Sequence, residues 1–425
     1  MDTNQPNPIP YGGRKNIRRN LVLYFIDGIT FPLSMTFVSV TTIIPFFLEQ
    51  LYASTFQIAM AAAIVPICTL VTQPFFGSMA SRVKKLSKTF AKLLFLQRVS
   101  FLLFAVTIPL FSPGVLVVSF LVAWGVFNLF VGSYSVFFAP LIIKLLPPDM
   151  RGGLRGIGFA LGSGLSVLAA ALFPLIFYRV AFPYDFMLIF LLGTCFMFVN
   201  GGVFAILREH DDIEPRIPMG IRQYTSGIFS SLRQNAALRA MIVTCTFIMV
   251  AISLLPYYTI YAIRVFDATE ANIATLAALA VASGAIGFVF FGFIIDKRGP
   301  VTAVLFVACF TALGGAIALF SNSLTFLFVA WGVVNFGNSG YFSAASLMLG
   351  ELGEVGKLPL FAGVLSVVSL AVSATVLLAL SPILERVGFH WLFVTVTACG
   401  VMSLLVNIFV FRKYVGRRDS SVENM

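Results

Sequence analysis

The chain has 425 residues, of which 59% are hydrophobic and only 11% are charged, and its formal net charge is +11. A soluble domain carries about 25% charged residues, so no soluble core could bury this much apolar surface and a lipid bilayer must surround most of the chain. The 28 basic residues are scattered at the ends of apolar segments, which argues against a nucleic-acid-binding patch and is typical of a topology signal.

Apolar segments long enough to cross a bilayer, about 20 residues each, occur twelve times. The first follows a polar, basic N-terminus without a cleavable leader pattern, so we interpret it as the first membrane span. We therefore predict an all-α integral membrane protein with twelve transmembrane helices. The predicted spans are residues 21–48, 56–80, 89–111, 115–144, 154–178, 185–207, 236–264, 269–295, 300–320, 324–350, 357–384 and 389–411.

A sequence repeat divides the chain into two halves. Residues 122–128 (VAWGVFN) recur as residues 329–335 (VAWGVVN), with six of seven positions identical. One long polar stretch lies between the sixth and seventh predicted spans. We predict an N-terminal six-helix bundle at 1–207, a cytoplasmic linker at 208–235 and a C-terminal six-helix bundle at 236–425, with a short amphipathic surface helix at 221–232 of the linker. A duplicated half in an apolar chain is typical of a secondary transporter, whose substrate site lies between the copies.

The orientation follows from the basic residues. If both termini lie in the cytoplasm, the connections on the opposite side hold only Arg179, Arg264 and Arg386, while nearly all other Lys and Arg residues fall on or near the cytoplasmic side. This asymmetry predicts a multi-pass protein of the inner or plasma membrane with both termini cytoplasmic.

Asp27 is the most informative single charge. It lies inside the first predicted span, and an intramembrane carboxylate is by default a functional-site hypothesis. It can load and release a proton for coupled transport, or pair with Arg98, the basic residue deepest inside a span, and these two interpretations are compatible. A solvated position at the membrane interface is the third alternative.

The loop after the eighth span carries a recognisable motif. Gly292 is followed by Asp296 and Lys297 and then by Gly299, which resembles the loop signature of the major facilitator superfamily. Together with twelve spans and a six-plus-six duplication, the motif identifies the whole chain as similar to that superfamily. The resemblance implies two pseudo-symmetric six-helix bundles that surround a central cavity.

The corresponding loop after the second span matches only in part. It keeps Gly77 and Arg82, but Ser81 stands where the acid belongs and Lys84 where the turn glycine belongs. This basic loop would face Glu351 and Glu354, which suggests a second latch of reversed polarity.

The superfamily signature implies a latch that holds the cytoplasmic side shut in one conformation. Asp296 is expected to meet Arg151 or Arg155, at the start of the fifth span, and an ordinary solvated carboxylate is the alternative. The predicted latch residues are Gly77, Arg82, Arg151, Arg155, Gly292, Asp296, Lys297 and Gly299.

The resemblance also implies that spans one, four, seven and ten line the cavity. Asn128 and Asn335 each follow a Trp by four residues, so each Trp–Asn pair shares a helix face. Pro256 predicts a break in the seventh span beside two tyrosines of one face. Packing of Trp, helix adhesion by Asn and an interfacial belt of Tyr are the competing interpretations. The predicted cavity residues are Trp124, Asn128, Tyr134, Tyr257, Tyr261, Trp331, Asn335 and Asn338.

The sequence thus predicts a secondary active transporter that works by alternating access. The expected cavity is nearly uncharged and aromatic, which favours a small neutral or amphipathic organic solute, and the proton is the expected coupling ion. The alternatives are multidrug or metabolite efflux by proton antiport, cation-coupled sugar-type symport, a lipid flippase and a non-transporting scaffold. No phosphate-binding loop or catalytic arrangement is evident, so we expect no enzyme activity, cofactor, metal or nucleic acid. We expect a monomer whose partners are the solute and the lipid bilayer.

Overall fold

The structure, a computed structural model, describes residues 14–80, 82–146, 148–209, 233, 235–349 and 358–411. The described residues form helices and short connections. The α-helices are α1 (Arg14–Phe37), α2 (Ile43–Gln50), α3 (Thr55–Ala80), α4 (Leu86–Thr107), α5 (Pro113–Leu129), α6 (Val131–Leu145), α7 (Pro148–Arg179), α8 (Tyr184–Ile206), α9 (Ala236–Ser253), α10 (Pro256–Phe266), α11 (Glu270–Leu319), α12 (Leu324–Met348), α13 (Leu358–Val387) and α14 (His390–Val406). A 3₁₀ turn, Ile108–Leu110, follows α4, and a π-helical turn, Asn407–Phe411, extends α14.

These helices correspond to the twelve predicted spans, three of which are broken. The first span is α1 plus α2, the fourth is α5 plus α6, and the seventh is α9 plus α10. The break in the seventh span directly precedes Pro256, which has no N–H for a helical hydrogen bond, as expected. The eighth and ninth spans form the 50-residue α11, which turns at Gly299, where φ is +78°. A glycine tolerates this left-handed backbone because it has no Cβ.

Ten helical segments of the described chain are long and apolar enough to cross a membrane, and α11, with its turn, covers two spans. Helix α12 is not among the ten. Its polar residues Asn335, Asn338 and Ser339 line a cavity between the two halves of the molecule. The twelve-span prediction is thus confirmed, and the least apolar span is one that faces the interior.

Helices α1–α8 pack mainly against one another, as do helices α9–α14, and we call these two groups the halves of the molecule. Helix α7 packs along the first part of α11, and α3 packs along α13, so these pairs join the halves. The bundle has two ends. We call the end near Arg208 and Asp296 the linker end, and the end near Glu49 and Arg264 the Glu49 end.

Several sequence predictions fall on residues outside the description. The amphipathic helix at 221–232 and both acids of the reversed latch, Glu351 and Glu354, lie there. Arg151 belongs to α7, but its side chain is not described.

Candidate solute cavity and buried charge network

Two adjoining cavities lie between the halves. The larger one, about 860 Å³, is near the linker end and is lined by Arg155 and Phe159 of α7 and by Phe288 and Asp296 of α11. The smaller one, about 280 Å³, lies closer to the Glu49 end, and both cavities share Phe159, Ser163, Ala285 and Phe288 as walls. Ligand pockets are typically about 300–1,000 Å³, so the larger cavity has the size of a small-molecule site.

A buried charge network forms the wall behind Arg155. Asp27 on α1 has no exposed side-chain area and forms an ion pair with Arg155 on α7. Asn200 on α8 donates from Nδ2 to Asp27 Oδ1 at 2.6 Å, and its Oδ1 accepts a hydrogen bond from Arg98 Nη2 at 2.9 Å. The amide therefore connects Asp27 to Arg98, and helices α1, α4, α7 and α8 share one polar network. A buried carboxylate with these partners avoids the large penalty of an unpaired charge.

Small residues bring the two members of the ion pair together. Gly28, next to Asp27, faces Gly158, one helical turn after Arg155, and a Cβ on Gly28 would lie 3.2 Å from the Gly158 Cα. A Cβ on Gly162 would lie 2.9 Å from the Ile29 Cα. Because none of these three glycines has a side chain, α1 and α7 cross closely enough for Asp27 to reach Arg155.

The prediction that Asp27 pairs directly with Arg98 is wrong. Arg98 donates to the carbonyl oxygens of Leu94 and Met197 and to the side chains of Gln97 and Asn200. The direct partner of Asp27 is Arg155, which the sequence assigned to the latch. Asn200 was missed altogether, since a lone Asn in an apolar span gives no signal of its role.

Arg155 differs from the other members because it reaches the cavity. Its side chain is 21% exposed, and its guanidinium carbon lies 4.5 Å from the Phe159 ring centroid and 4.6 Å from that of Phe138. Tyr134 OH accepts a weak hydrogen bond from Arg155 Nη2 at 3.4 Å. The expectation of a nearly uncharged cavity is therefore wrong: Arg155 and Asp296 both line it.

The duplicated Trp–Asn pairs act mainly in packing. Trp124 Nε1 donates to the Ala61 carbonyl at 2.9 Å, and Trp331 Nε1 donates to the Leu276 carbonyl at 2.8 Å. Each Trp thereby ties the fourth span of its half to the second. Asn128 donates back to the Trp124 carbonyl, and Asn335 does the same at Trp331.

Of the predicted cavity residues, Asn335 and Asn338 line the smaller cavity. Both Trp residues and Asn128 are at most 3% exposed and pack within their own halves. Tyr134 contacts Arg155 behind the cavity wall. In the second half, Tyr257 OH donates to the Leu377 carbonyl at 2.9 Å, and Tyr261 packs against the Phe389 and Phe393 rings. The competing interpretation, packing, therefore describes most of these aromatic residues.

Among the described side chains, the predicted latch partners Arg155 and Asp296 do not meet, while the side chain of Arg151 lies outside the description. Asp296 is exposed at the mouth of the larger cavity, while Arg155 binds Asp27 deeper in the same wall. Lys297 follows Asp296 on the exposed surface, Gly292 lines the cavity, and Gly299 forms the turn. Gly77 has no neighbour within 4 Å of where a Cβ would be, and Arg82 is exposed.

Polar contacts between the halves are found at the Glu49 end. Arg264 on α10 makes a two-pronged ion pair with Glu49 on α2, with Nε–Oε1 at 2.8 Å and Nη2–Oε2 at 3.0 Å. Its Nη1 also donates to Thr55 Oγ1 at 2.8 Å, and Thr55 N donates to Glu385 Oε1 at 2.9 Å. The sequence analysis missed this cluster, because Glu49 and Arg264 end different spans and share no motif.

Glu209 connects three helices at the linker end of the first half. Its carboxylate accepts the backbone N–H groups of Leu86 and Ser87 at the start of α4, and it pairs with Lys144 Nζ at 2.9 Å. Burial alone would raise the pKa of Glu209, but these donors outweigh burial and hold the pKa below its usual value. Glu209 therefore joins the end of α8 to α4 and α6.

Two helical halves enclose a cavity of ligand size and are joined by polar contacts at the Glu49 end. This arrangement is typical of a polytopic membrane transport protein. Residues 26–317, more than half of the chain, match the family model of the Major Facilitator Superfamily. The chain belongs to the Major Facilitator Superfamily, as the loop motif indicated.

Two solved structures show the same fold. The human organic anion transporter MFSD10 (TETRAN) is 16% identical, with 94% of this chain and 100% of that chain covered and a TM-score of 0.65. A bacterial homologue of the iron transporter ferroportin in an outward-facing state is 15% identical, with 92% and 98% covered and a TM-score of 0.64. At these identities the likeness concerns the fold alone. A comparison with curated proteins finds no match.

Proposed function

We propose that the chain is a secondary active transporter that carries a small amphipathic organic solute through the central cavity by alternating access. The observation that carries this proposal is the position of the cavity between two halves that are bound to each other at the Glu49 end. A rocking motion that breaks those contacts would move the opening from one face of the membrane to the other.

The distribution of basic residues supports a cytoplasmic position for the linker end. The described conformation is then open toward the cytoplasm and closed toward the outside. Both termini are cytoplasmic in this proposal, the membrane is the inner or plasma membrane, and the functional unit is a monomer.

Asp27 is the proposed site of proton coupling. Its carboxylate holds Arg155, and Arg155 lines the cavity, so protonation of Asp27 would change the charge that the solute meets. The ionisable groups around Asp27 are Arg155 from α7, Tyr134 from α6 and Tyr24 from its own helix. Arg98 from α4 is connected to Asp27 through the amide of Asn200. Proton and solute are thereby linked through one side chain, Arg155.

Counterflow in proteoliposomes tests transport. A carrier exchanges internal unlabelled solute for external labelled solute without net driving force, whereas a scaffold shows no exchange. With a solute identified, an imposed pH gradient should drive accumulation by the wild type. Asp27→Asn should keep counterflow but lose its response to the gradient, since Asn keeps the size of the side chain and one acceptor oxygen but cannot titrate.

Asp267→Asn is the matched control. Asp267 is exposed, and its φ of +47° is a conformation that Asn tolerates well. This variant should respond to the gradient as the wild type does. Gradient-driven accumulation that survives in Asp27→Asn would exclude Asp27 as the coupling site.

A further inference from the structure

The buried network contains one more positive than negative charge. Arg98 and Arg155 are both part of it, and Asp27 is the carboxylate that contacts it within the described residues. Arg98 donates to four oxygen atoms, all from backbone carbonyls or amides. Neutral acceptors satisfy its hydrogen bonds but leave its charge uncompensated, and buried charge is costly unless it is paired.

The network meets the solute space at one of its members. Asp27 is fully buried and Arg98 is 5% exposed, whereas the side chain of Arg155 is 21% exposed and lines the larger cavity. The rings of Tyr24, Phe138 and Phe159 surround its guanidinium. These rings lower the local dielectric beside the guanidinium, which strengthens its attraction to an anion that enters the cavity.

One carboxylate acts against an anion in the same cavity. Asp296 lies at the mouth, is exposed to solvent and is followed by Lys297 and Arg298, which are also exposed. Water and these two neighbours screen its charge, so its repulsion of an anion at Arg155 is weak.

The smaller cavity adds two polar atoms that have no partner. Thr42 Oγ1 and Asn338 Oδ1 are buried without a hydrogen bond, and both residues line this cavity. Thr42 itself has no exposed area. Buried polar atoms normally have partners, so a bound molecule with a hydrogen-bond donor would complete this region. Phe159 and Phe288 lie between the two polar regions, since both line both cavities.

We propose that the solute is an organic monoanion, with a carboxylate or similar group on Arg155, an apolar body between Phe159 and Phe288, and a hydrogen-bonding group at Asn338 and Thr42. This inference deepens the proposed function and rests on it. A single excess charge matches a monoanion, and the apolar walls favour an organic body over an inorganic ion.

Thermal stabilisation of the purified protein tests the charge preference, since a ligand that binds the folded state raises its melting temperature. The probes are matched pairs of acid and primary amide: ω-hydroxy acids of six to ten carbons, phenylacetate and indole-3-acetate. Some acids should stabilise the wild type while their amides do not. A panel in which the amides stabilise as well as the acids, or in which no acid exceeds its amide, overturns the proposal.

Variants of the network should shift acid binding in opposite directions. Arg155→Gln should weaken it about ten- to a hundredfold, the usual range for a lost charge-assisted hydrogen bond. Arg155→Lys should keep the preference for acids at lower affinity. Asp27→Asn, which frees Arg155, should strengthen acid binding. If Arg155 and Asp27 were merely structural, both variants would change acid affinity in the same direction. Equal acid binding by Arg155→Gln and wild type contradicts the proposal.

Arg179→Gln is the matched control, since Arg179 is exposed at the opposite end of the same helix. It should bind acids as the wild type does. Counterflow separates this inference from the proposed function. Acids that bind through Arg155 without exchange would refute transport and leave the anion site standing, whereas exchange of neutral solutes alone would refute the anion site and leave transport standing.

Discussion

The contact between Arg264 and Glu49 should set how often the two halves separate at the Glu49 end. Arg264→Gln removes both the two-pronged ion pair and the hydrogen bond from Nη1 to Thr55, and both of these contacts join the halves. The side chains of Arg264 and Glu49 are 32% and 18% exposed, so the ion pair itself is worth about 1 kcal/mol, the upper end for pairs near solvent. The hydrogen bond to Thr55 adds about 1 kcal/mol.

A loss of about 2 kcal/mol changes the ratio of closed to open molecules about thirtyfold, since about 1.4 kcal/mol corresponds to a factor of ten. Glu49→Gln keeps the Thr55 contact and should shift the ratio about fivefold. Both variants should move the protein toward a state that is open at the Glu49 end, because the described conformation is the one that contains these contacts.

Distances between spin labels measure this shift. Leu110→Cys and Phe320→Cys place the labels at the ends of the third and ninth spans, 72% and 81% exposed at the Glu49 end, in a background from which the five native cysteines have been replaced. The fraction of long distances should increase in Arg264→Gln and, to a smaller extent, in Glu49→Gln. Arg386→Gln, which removes the same charge from an exposed site at the same end, should leave the distribution unchanged.

A charge swap completes the design. Glu49→Arg combined with Arg264→Glu should restore much of the closed population that either single reversal loses. Superimposable distance distributions for wild type and Arg264→Gln would refute the reasoning, because the pair would then contribute nothing to closure.

Two further predictions concern stability. Gly162→Ala should destabilise the protein by about 1–3 kcal/mol, as overpacking does, because its Cβ would clash with the Ile29 backbone, whereas Gly164→Ala has open space and should be neutral in a thermal unfolding assay. Equal melting temperatures for the two glycine variants would contradict the close crossing of α1 and α7. Glu209→Gln should lower stability by about 1–3 kcal/mol at pH 7, since the donors that Glu209 accepts would lose a charged partner. Because the pKa of Glu209 is lowered in the folded state, its contribution is present above the unfolded-state value of about 4.5 and is lost as the pH falls through the folded-state value. Wild type and Glu209→Gln should therefore approach each other in melting temperature in acid, and a difference that stays constant from pH 7 to pH 3 would contradict this account.

The span pattern was predictable because it depends on local composition. Apolar length located the twelve spans, Pro256 located a break, and the loop motif located the turn at Gly299. The partner of Asp27 was not predictable in the same way. Arg155 was placed at the very start of the fifth span, but α7 begins at Pro148, so Arg155 is about 10 Å inside the helix. A shift of two helical turns separates a surface latch from a buried ion pair.

The Trp–Asn repeat shows a second limit of sequence reasoning. A polar pair that is repeated in both halves can bind solute only if its polar atoms are free to contact the solute. A buried indole N–H requires an acceptor, and Trp124 and Trp331 both find one on a neighbouring helix of their own half. Periodicity showed that each pair shares a face, but it could not show which face is turned to the cavity.

The two halves share this Trp–Asn arrangement but differ in what they contribute to the cavities. Asn128 and Asn335 make the same bond to the preceding Trp, yet Asn335 lines the smaller cavity while Asn128 is sealed inside the first half. The buried network of charges belongs entirely to α1, α4, α7 and α8, whereas the second half contributes neutral amides and hydroxyls to the smaller cavity and the exposed Asp296 at the mouth of the larger one. A solute between them would thus be held by charge on one side and by hydrogen bonds on the other. Rocking of the halves changes the distance between these two sides, so a solute that needs both contacts binds one conformation better than the other, which is the condition for a ligand to shift the equilibrium.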